Sequence, residues 1–298
     1  MERLKRWLPW GVAVALLAVL FTRIPFEALR EALAHGSYLF LALYVLFEIV
    51  IALAPDAWAT KEALAAAGVR KRFRELMLAR GATYLLGLLS YLLGQGGVGV
   101  WLAKRGVRAA QATGAVLLLM VSNGIVLLLI AGAGLLVSHS DRNLLLVVGL
   151  GLAGVAVYLT AIGLRVPWLQ RWEMLAPLFD AGLSGHLRAV VARLPHMLLL
   201  AVLHWGAFRV WGIAVPPELG IALMPVVLLV AALPITPGGL GSTQALQVFF
   251  FSRWAAGPTA EARAADVLAF SLVHHVLSLL AMALVGLVCL ALLQREER

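Results

Sequence analysis

The chain has 298 residues, 62% of them in the set AVILMFWYC and 13% charged, with a net charge of +9. A soluble globular domain is about 45–50% apolar with Gly included, and 28 Gly stand on top of the apolar fraction here, so an ordinary soluble enzyme and a disordered chain are both excluded. The positive excess reads as the basic cytoplasmic loops of a membrane protein, not as a nucleic-acid surface, since no basic stripe is interleaved with base-stacking aromatics.

Apolar runs able to cross a hydrocarbon core of roughly 30 Å follow along the chain. Residues 7–22 form a short one, with Arg6 and Arg23 placed to snorkel at its ends. Arg3, Lys5 and Arg6 also suit a signal peptide, but the nearby Ala32-Leu33-Ala34 lies beyond Pro25, Glu27 and Glu31, so a retained helix is expected. Residues 37–58 carry Glu48 and Asp56, the latter expected near the inner surface. Residues 112–137 and 143–164 carry no charge, and 194–213 carry His196, His204 and Arg209. Residues 267–293 are again uncharged and hold the single cysteine, Cys289, so no intramolecular disulfide can form. Six crossings result.

Two further apolar segments are broken. Residues 81–103 are interrupted by Gly94-Gln95-Gly96-Gly97-Val98-Gly99, and 219–252 by Pro234-Ile235-Thr236-Pro237-Gly238-Gly239-Leu240-Gly241. The halves of the second, 219–233 and 242–252, reach only about 22 and 16 Å at 1.5 Å per residue, so a helix pair that dips in and returns is expected. Irregular backbone at that depth is tolerated only where protein or a wet cavity covers it. With both segments re-entrant and the N-terminus inside, basic residues divide 18 inside to 5 outside; a full crossing by the first segment would give 12 to 11. The expected fold is one all-α polytopic transmembrane bundle over 1–298. It has about six crossings, re-entrant hairpins at about 81–103 and 219–252 entering from opposite sides, and both termini cytoplasmic. The basic stretches 61–75 and 167–193, the latter with Trp168 and Trp172, lie on the inner leaflet or serve as connecting helices. An Arg-rich composition suggests a bacterial source, hence an inner membrane.

Residues 233–251, LPITPGGLGSTQALQVFFF, resemble the signature of the lysylphosphatidylglycerol synthase transmembrane-region family, flippase-like integral membrane proteins. The family pattern is P-I-[ST]-P-G-G-L-G, two variable residues, Glu or Gln, then an apolar run; residues 234–241 match it and Gln244 takes the acidic-or-amide position. A second, looser match is the Gly-rich stretch followed by basic residues over 94–108. Many members carry an acidic residue and an Arg there, where this chain has Gly99, Val100 and Trp101, with Lys104 and Arg105 later. The resemblance implies movement of an anionic phospholipid or related lipid between leaflets. Aminoacyl transfer, which some members perform through a fused soluble transferase, is not expected here.

Several residues could carry such a function. Gly238, Gly239 and Gly241 permit close backbone approach, and Thr236 and Ser242 can cap helices they begin. A half-helix starting at Ser242 would aim its positive end at an anionic headgroup. Gln95 would offer its amide from the opposing Gly-rich tip, with Gln244 completing the headgroup set. Arg209 either clamps a lipid phosphate or snorkels to the outer interface. Glu48, buried in a span, is protonated, pairs with Arg209, or relays protons as a gating or coupling group. His196 and His204, and the adjacent His274 and His275, have no carboxylate or Cys at ligand spacing, so hydrogen bonding between helices is expected, and no metal or cofactor. No Walker A, G-x-S-x-G, H-E-x-x-H or C-x-x-C sequence occurs, so no enzyme is expected. The alternatives to a lipid flippase are a proton-coupled transporter of a soluble solute and a non-catalytic membrane partner of a separate lipid-modifying enzyme.

Overall fold

A computed structural model describes residues 2–137, 142–233 and 236–296. All regular structure among these is helical. Pro234 and Ile235 of the signature lie outside the described residues.

Helix α1 (Glu2–Arg23) turns through 94° into α2 (Phe26–Ala34). Pro25 makes the corner: it biases Ile24 away from helical backbone and itself sits at φ −58°, ψ 136°. Four more helices follow the expected spans: α3 (Tyr38–Ala66), then, beyond the first hairpin, α7 (Ala109–Val137), α8 (Arg142–Gly163) and, last in the chain, α13 (Ala260–Glu296). The fifth long helix, α10 (Ala176–Trp211), begins 18 residues earlier than its apolar run because the amphipathic stretch expected on the inner leaflet continues into it, bent at Gly182 (φ 59°). Only the four-residue α9 (Pro167–Gln170) remains ahead of it. Five helices are thus long and apolar enough to cross a membrane, six with the bent α1–α2 pair.

The shorter helices form two hairpins. In the first, α4 (Phe73–Ala82) and α5 (Tyr84–Gly87) lead to a turn at 88–90, and α6 (Tyr91–Lys104) returns. The sequence places the tip at the Gly-rich run; the structure moves it upstream. Ser90 accepts the Leu93 N–H at 3.2 Å and starts α6 there, so Gly94 to Gly99 are helical. Glycine costs about 1 kcal/mol relative to Ala inside a helix. Here it serves packing: a Cβ on Gly94 would stand 3.1 Å from the Gly87 Cα, so α5 and α6 touch backbone to backbone. The second hairpin pairs α11 (Pro217–Ala232) with α12 (Ser242–Phe251) through the glycine turn. Gly238, Gly239 and Gly241 all have φ between +57° and +85°, the region that glycine alone adopts readily. The turn is pressed on α1, where a Cβ on Gly241 would lie 2.9 Å from the Ala13 carbonyl oxygen.

Two-thirds (67%) of the most apolar stretch of α7 is enclosed by protein, against 11% for α8, so α7 is central and α8 peripheral. The outer faces are apolar: Phe40, Phe47, Val157 and Leu187 are among many large exposed side chains. In water this would be a liability; in a bilayer lipid tails solvate it, and packing rather than hydrophobicity holds the helices together. Gly134 shows this directly, because a Cβ there would meet the Ala222 Cα of α11 at 2.4 Å. Gly134→Ala is expected to destabilise the protein by about 1–3 kcal/mol through overpacking, while Gly154→Ala, with open space around it, leaves the thermal unfolding midpoint in detergent unchanged or higher. Equal midpoints for the two variants would refute this account of the α7–α11 contact.

Candidate functional site

Helices α3 and α10 run antiparallel through the bundle and carry two polar rungs. The residues of each helix are eight apart: two acids, Glu48 and Asp56, on α3, and two histidines, His196 and His204, on α10. Asp56 pairs with the His196 end and Glu48 with the His204 end. Eight residues are about 12 Å of helix, so the rungs sit at two depths. Pro55 and Pro195 each precede a residue of the first rung, and each removes a backbone donor there, a common cause of a local bend.

The first rung is an ion cluster. Asp56, placed by the sequence near the inner surface, is 1% exposed. Its Oδ2 accepts from Arg80 Nε of the first hairpin at 2.6 Å and its Oδ1 from Arg193 Nη1 at 2.6 Å. The Tyr84 hydroxyl donates to Oδ2 at 3.4 Å, and His196 Nδ1 lies 2.9 Å from Arg193 Nη1. Arg80 and Arg193, counted as loop charges from the sequence, are therefore buried; removing these two from the 18 leaves the basic excess in place. Two guanidinium groups share one carboxylate, so the cluster keeps a surplus positive charge. Arg193 Nε and Nη2 have no hydrogen-bond partner although buried.

The second rung joins three helices. Glu48 Oε1 lies 2.6 Å from His204 Nδ1, and Oε2 lies 3.4 Å from His274 Nε2 of α13. The sequence offered these histidines no carboxylate at ligand spacing; the fold supplies one from α3, and Glu48 meets histidines rather than Arg209.

Two adjoining cavities open between the rungs and the hairpins. One of about 260 Å³ is lined by Gln95, Gln244, Gln247, Ser271 and His274, with Gly238 at the turn. The other, about 240 Å³, is lined by Asp56, Arg80, Arg193, Asn123 and Gln95. Arg80, Tyr84, Tyr91 and Gln95 belong to both walls. Drug-sized ligands occupy roughly 300–1,000 Å³, so each cavity suits a polar headgroup rather than a whole lipid. Residues of these walls carry buried polar atoms without partners: Gln95 Oε1, Gln247 Oε1, Ser271 Oγ and Asn123 Oδ1. Such atoms are costly when left unmatched, which marks the cavities as built for a polar occupant.

Of the residues singled out from the sequence, Gln95, Gly238, Gln244 and Glu48's partners meet at this interior. Thr236, Ser242 and Gly239 instead hold the turn together. Ser242 Oγ donates to the Gly239 carbonyl at 3.0 Å and lies 3.0 Å from Thr236 Oγ1; Thr243 Oγ1 donates to the same carbonyl at 2.9 Å. Gln244 Oε1 accepts the Gly241 N–H at 2.6 Å, so a side-chain oxygen of the helix itself already serves a donor at the start of α12 that the sequence offers to an anion. Arg209 lies exposed near the end of α10, its guanidinium 5.7 Å over the Trp205 ring, and lines neither cavity. Arg80 and Arg193 were not singled out; the eight-residue repeat of acid on one helix and histidine on another was the available signal.

A family model described as the lysylphosphatidylglycerol synthase TM region matches residues 7–286. No curated protein matches the chain.

Proposed function

Because the chain belongs to the lysylphosphatidylglycerol synthase transmembrane-region family, we propose that this multi-pass membrane protein moves an anionic phospholipid, or a related anionic lipid, between leaflets. The observation that carries the proposal is the Arg80–Asp56–Arg193 cluster, whose surplus positive charge and unpaired Arg193 donors border the polar cavities. Charge-assisted, two-point hydrogen bonding to phosphate is the use to which a guanidinium is best suited. In this reading the headgroup travels through the adjoining cavities while the acyl chains stay in lipid. Arg80 and Arg193 take the role that the sequence suggests for Arg209, and Gln95, Gln244 and Gln247 offer neutral hydrogen bonds along the way. No covalent step is required. A separate enzyme that modifies the lipid would act before or after it.

The hairpins are re-entrant in this reading. At 16 and 10 residues, α11 and α12 reach about 24 and 15 Å, short of a crossing. The Arg74–Glu296 and Arg188–Glu62 ion pairs, at 2.8 and 2.5 Å, support one basic end of the bundle shared by the 61–75 stretch and the C-terminus. Placing that end in the cytoplasm of a bacterial inner membrane follows the positive-inside rule.

Leaflet exchange tests the function. Purified protein is reconstituted with headgroup-labelled phosphatidylglycerol or phosphatidylcholine, and the fraction open to a membrane-impermeant quencher is followed. Phosphatidylglycerol is expected to become accessible beyond the outer leaflet's share only with protein, and faster than phosphatidylcholine. Equal rates for both lipids, or exchange no faster than in protein-free vesicles, would overturn the anionic-lipid assignment.

A further inference from the structure

We propose that Glu48, His204 and His274 form a binding site for a divalent transition-metal ion, with zinc the closest fit, and with one coordination position open to the larger cavity. The three residues come from α3, α10 and α13, and one oxygen and two imidazole nitrogens lie within 4.8 Å of one another. Ligands about 2.0–2.2 Å from a shared zinc ion stand roughly 3–3.5 Å apart at tetrahedral angles. The 3.4 Å separation between Glu48 and His274 falls in that range, and the 2.6 Å one between Glu48 and His204 is shorter, so these two side chains would part slightly around an ion.

Hydrogen bonding accounts for only part of the cluster, His274 Nε2 and Glu48 Oε2 meeting at 3.4 Å. Glu48 Oε1 is fully buried and close to His204 Nδ1, yet the two do not meet with hydrogen-bond geometry, and Oε1 has no other partner. His204 Nδ1 also lies 3.1 Å from the Leu200 carbonyl. One nitrogen cannot donate a single proton well to both, so Oε1 is left to another partner. The described titratable groups facing Glu48 are His204, His274 and Tyr44. A divalent ion would give Oε1 a partner and offset the carboxylate's charge.

Two imidazoles and one carboxylate are borderline ligands that favour zinc and neighbouring first-row ions over magnesium or calcium. Three protein ligands with a free position is the pattern of an exchangeable zinc site rather than a closed structural one. His274 lines the 260 Å³ cavity beside Ser271 and Gln247, whose unpaired Oγ and Oε1 can hold a water on the ion. The site stands whether or not the protein moves lipid, since it rests on ligand geometry alone.

The test uses full-length protein in detergent, purified without a polyhistidine tag, stripped with chelator and reloaded with zinc or cobalt. One equivalent of zinc retained after dialysis is expected, together with the intense visible bands of a four-coordinate cobalt site with nitrogen and oxygen ligands. Glu48→Gln and His274→Asn should each weaken zinc binding by about 100-fold or more, because losing an outer-shell partner alone costs about 10–100-fold. His275→Asn, one residue away on α13, should bind as the parent does. Size-exclusion chromatography separates lost binding from lost folding. If the variants do not fold, the cobalt spectrum of the parent decides. No retained zinc, no four-coordinate cobalt bands, or equal affinity in folded parent and Glu48→Gln protein would each overturn the site and leave a shared proton as its occupant. None of these outcomes bears on Arg80 and Arg193, so the lipid proposal fails or survives separately.

Discussion

Asp56→Asn is expected to destabilise the protein by about 3–5 kcal/mol, the usual consequence of removing one partner from a buried ion pair. The substitution hardly changes volume. It leaves Arg80 and Arg193 buried, both of which now donate to this carboxylate at 2.6 Å. Neither guanidinium can lose its proton, so the charge cannot be relieved by titration. The first hairpin would be hit hardest, because Arg80 ties α4 to α3 and to α10 through this carboxylate. Thermal unfolding in detergent, followed by intrinsic Trp fluorescence, gives the comparison. A double variant, Asp56→Asn with Arg193→Gln, should recover part of the loss by removing one of the two stranded charges. A single variant that unfolds with the parent, or a double variant less stable than the single one, would refute the charge argument.

Arg193→Gln should behave in the opposite way. It removes the surplus charge and keeps the Asp56–Arg80 pair, so the folded protein survives with a modest loss. Headgroup exchange should fall by about tenfold or more, since a hydrogen bond to a charged group contributes about 1.5–3 kcal/mol and tenfold corresponds to about 1.4 kcal/mol. Arg209→Gln is the counterpart. Its side chain is exposed and stacked on Trp205, so exchange should remain close to that of the parent protein. Should Arg209→Gln abolish exchange while Arg193→Gln spares it, the headgroup path lies on the outside of α10 and not in the cavities.

The sequence made the bundle legible because hydrophobic length is a local property. The spans, the two hairpins and the glycine turn all follow from runs and breakers that can be counted along the chain. The Gly-rich tip of the first hairpin was misplaced for a related reason. Gly94 reads as a breaker locally, while its contact with Gly87, which makes it an asset inside a helix, exists only after folding. The charged interior was hidden more deeply. Asp56 meets Arg80 at a separation of 24 residues and Arg193 at 137, and Glu48 meets His274 at 226. Taken singly, Asp56, Arg80 and Arg193 look like interface charges. Only the antiparallel register of α3 and α10 turns them into partners. The Pro-Gly motif had a partial outcome: it located the turn, but Ser242, Thr243 and Gln244 spend much of their hydrogen bonding on the turn itself.

The two rungs divide the electrostatic barrier of the membrane. A bare phosphate crossing about 30 Å of hydrocarbon meets a Born energy of order 20 kcal/mol in a medium of low dielectric constant. The polar posts stand about 12 Å apart along α3 and α10, buried where no mobile salt screens them, so a group midway between them feels both. The surplus positive charge of the first rung makes a well for a phosphate, and the carboxylate of the second makes a step unless a cation or a proton offsets it. Such a profile makes the charge state of the Glu48 rung, as much as the spacing of the posts, the quantity that would set the rate of the proposed passage.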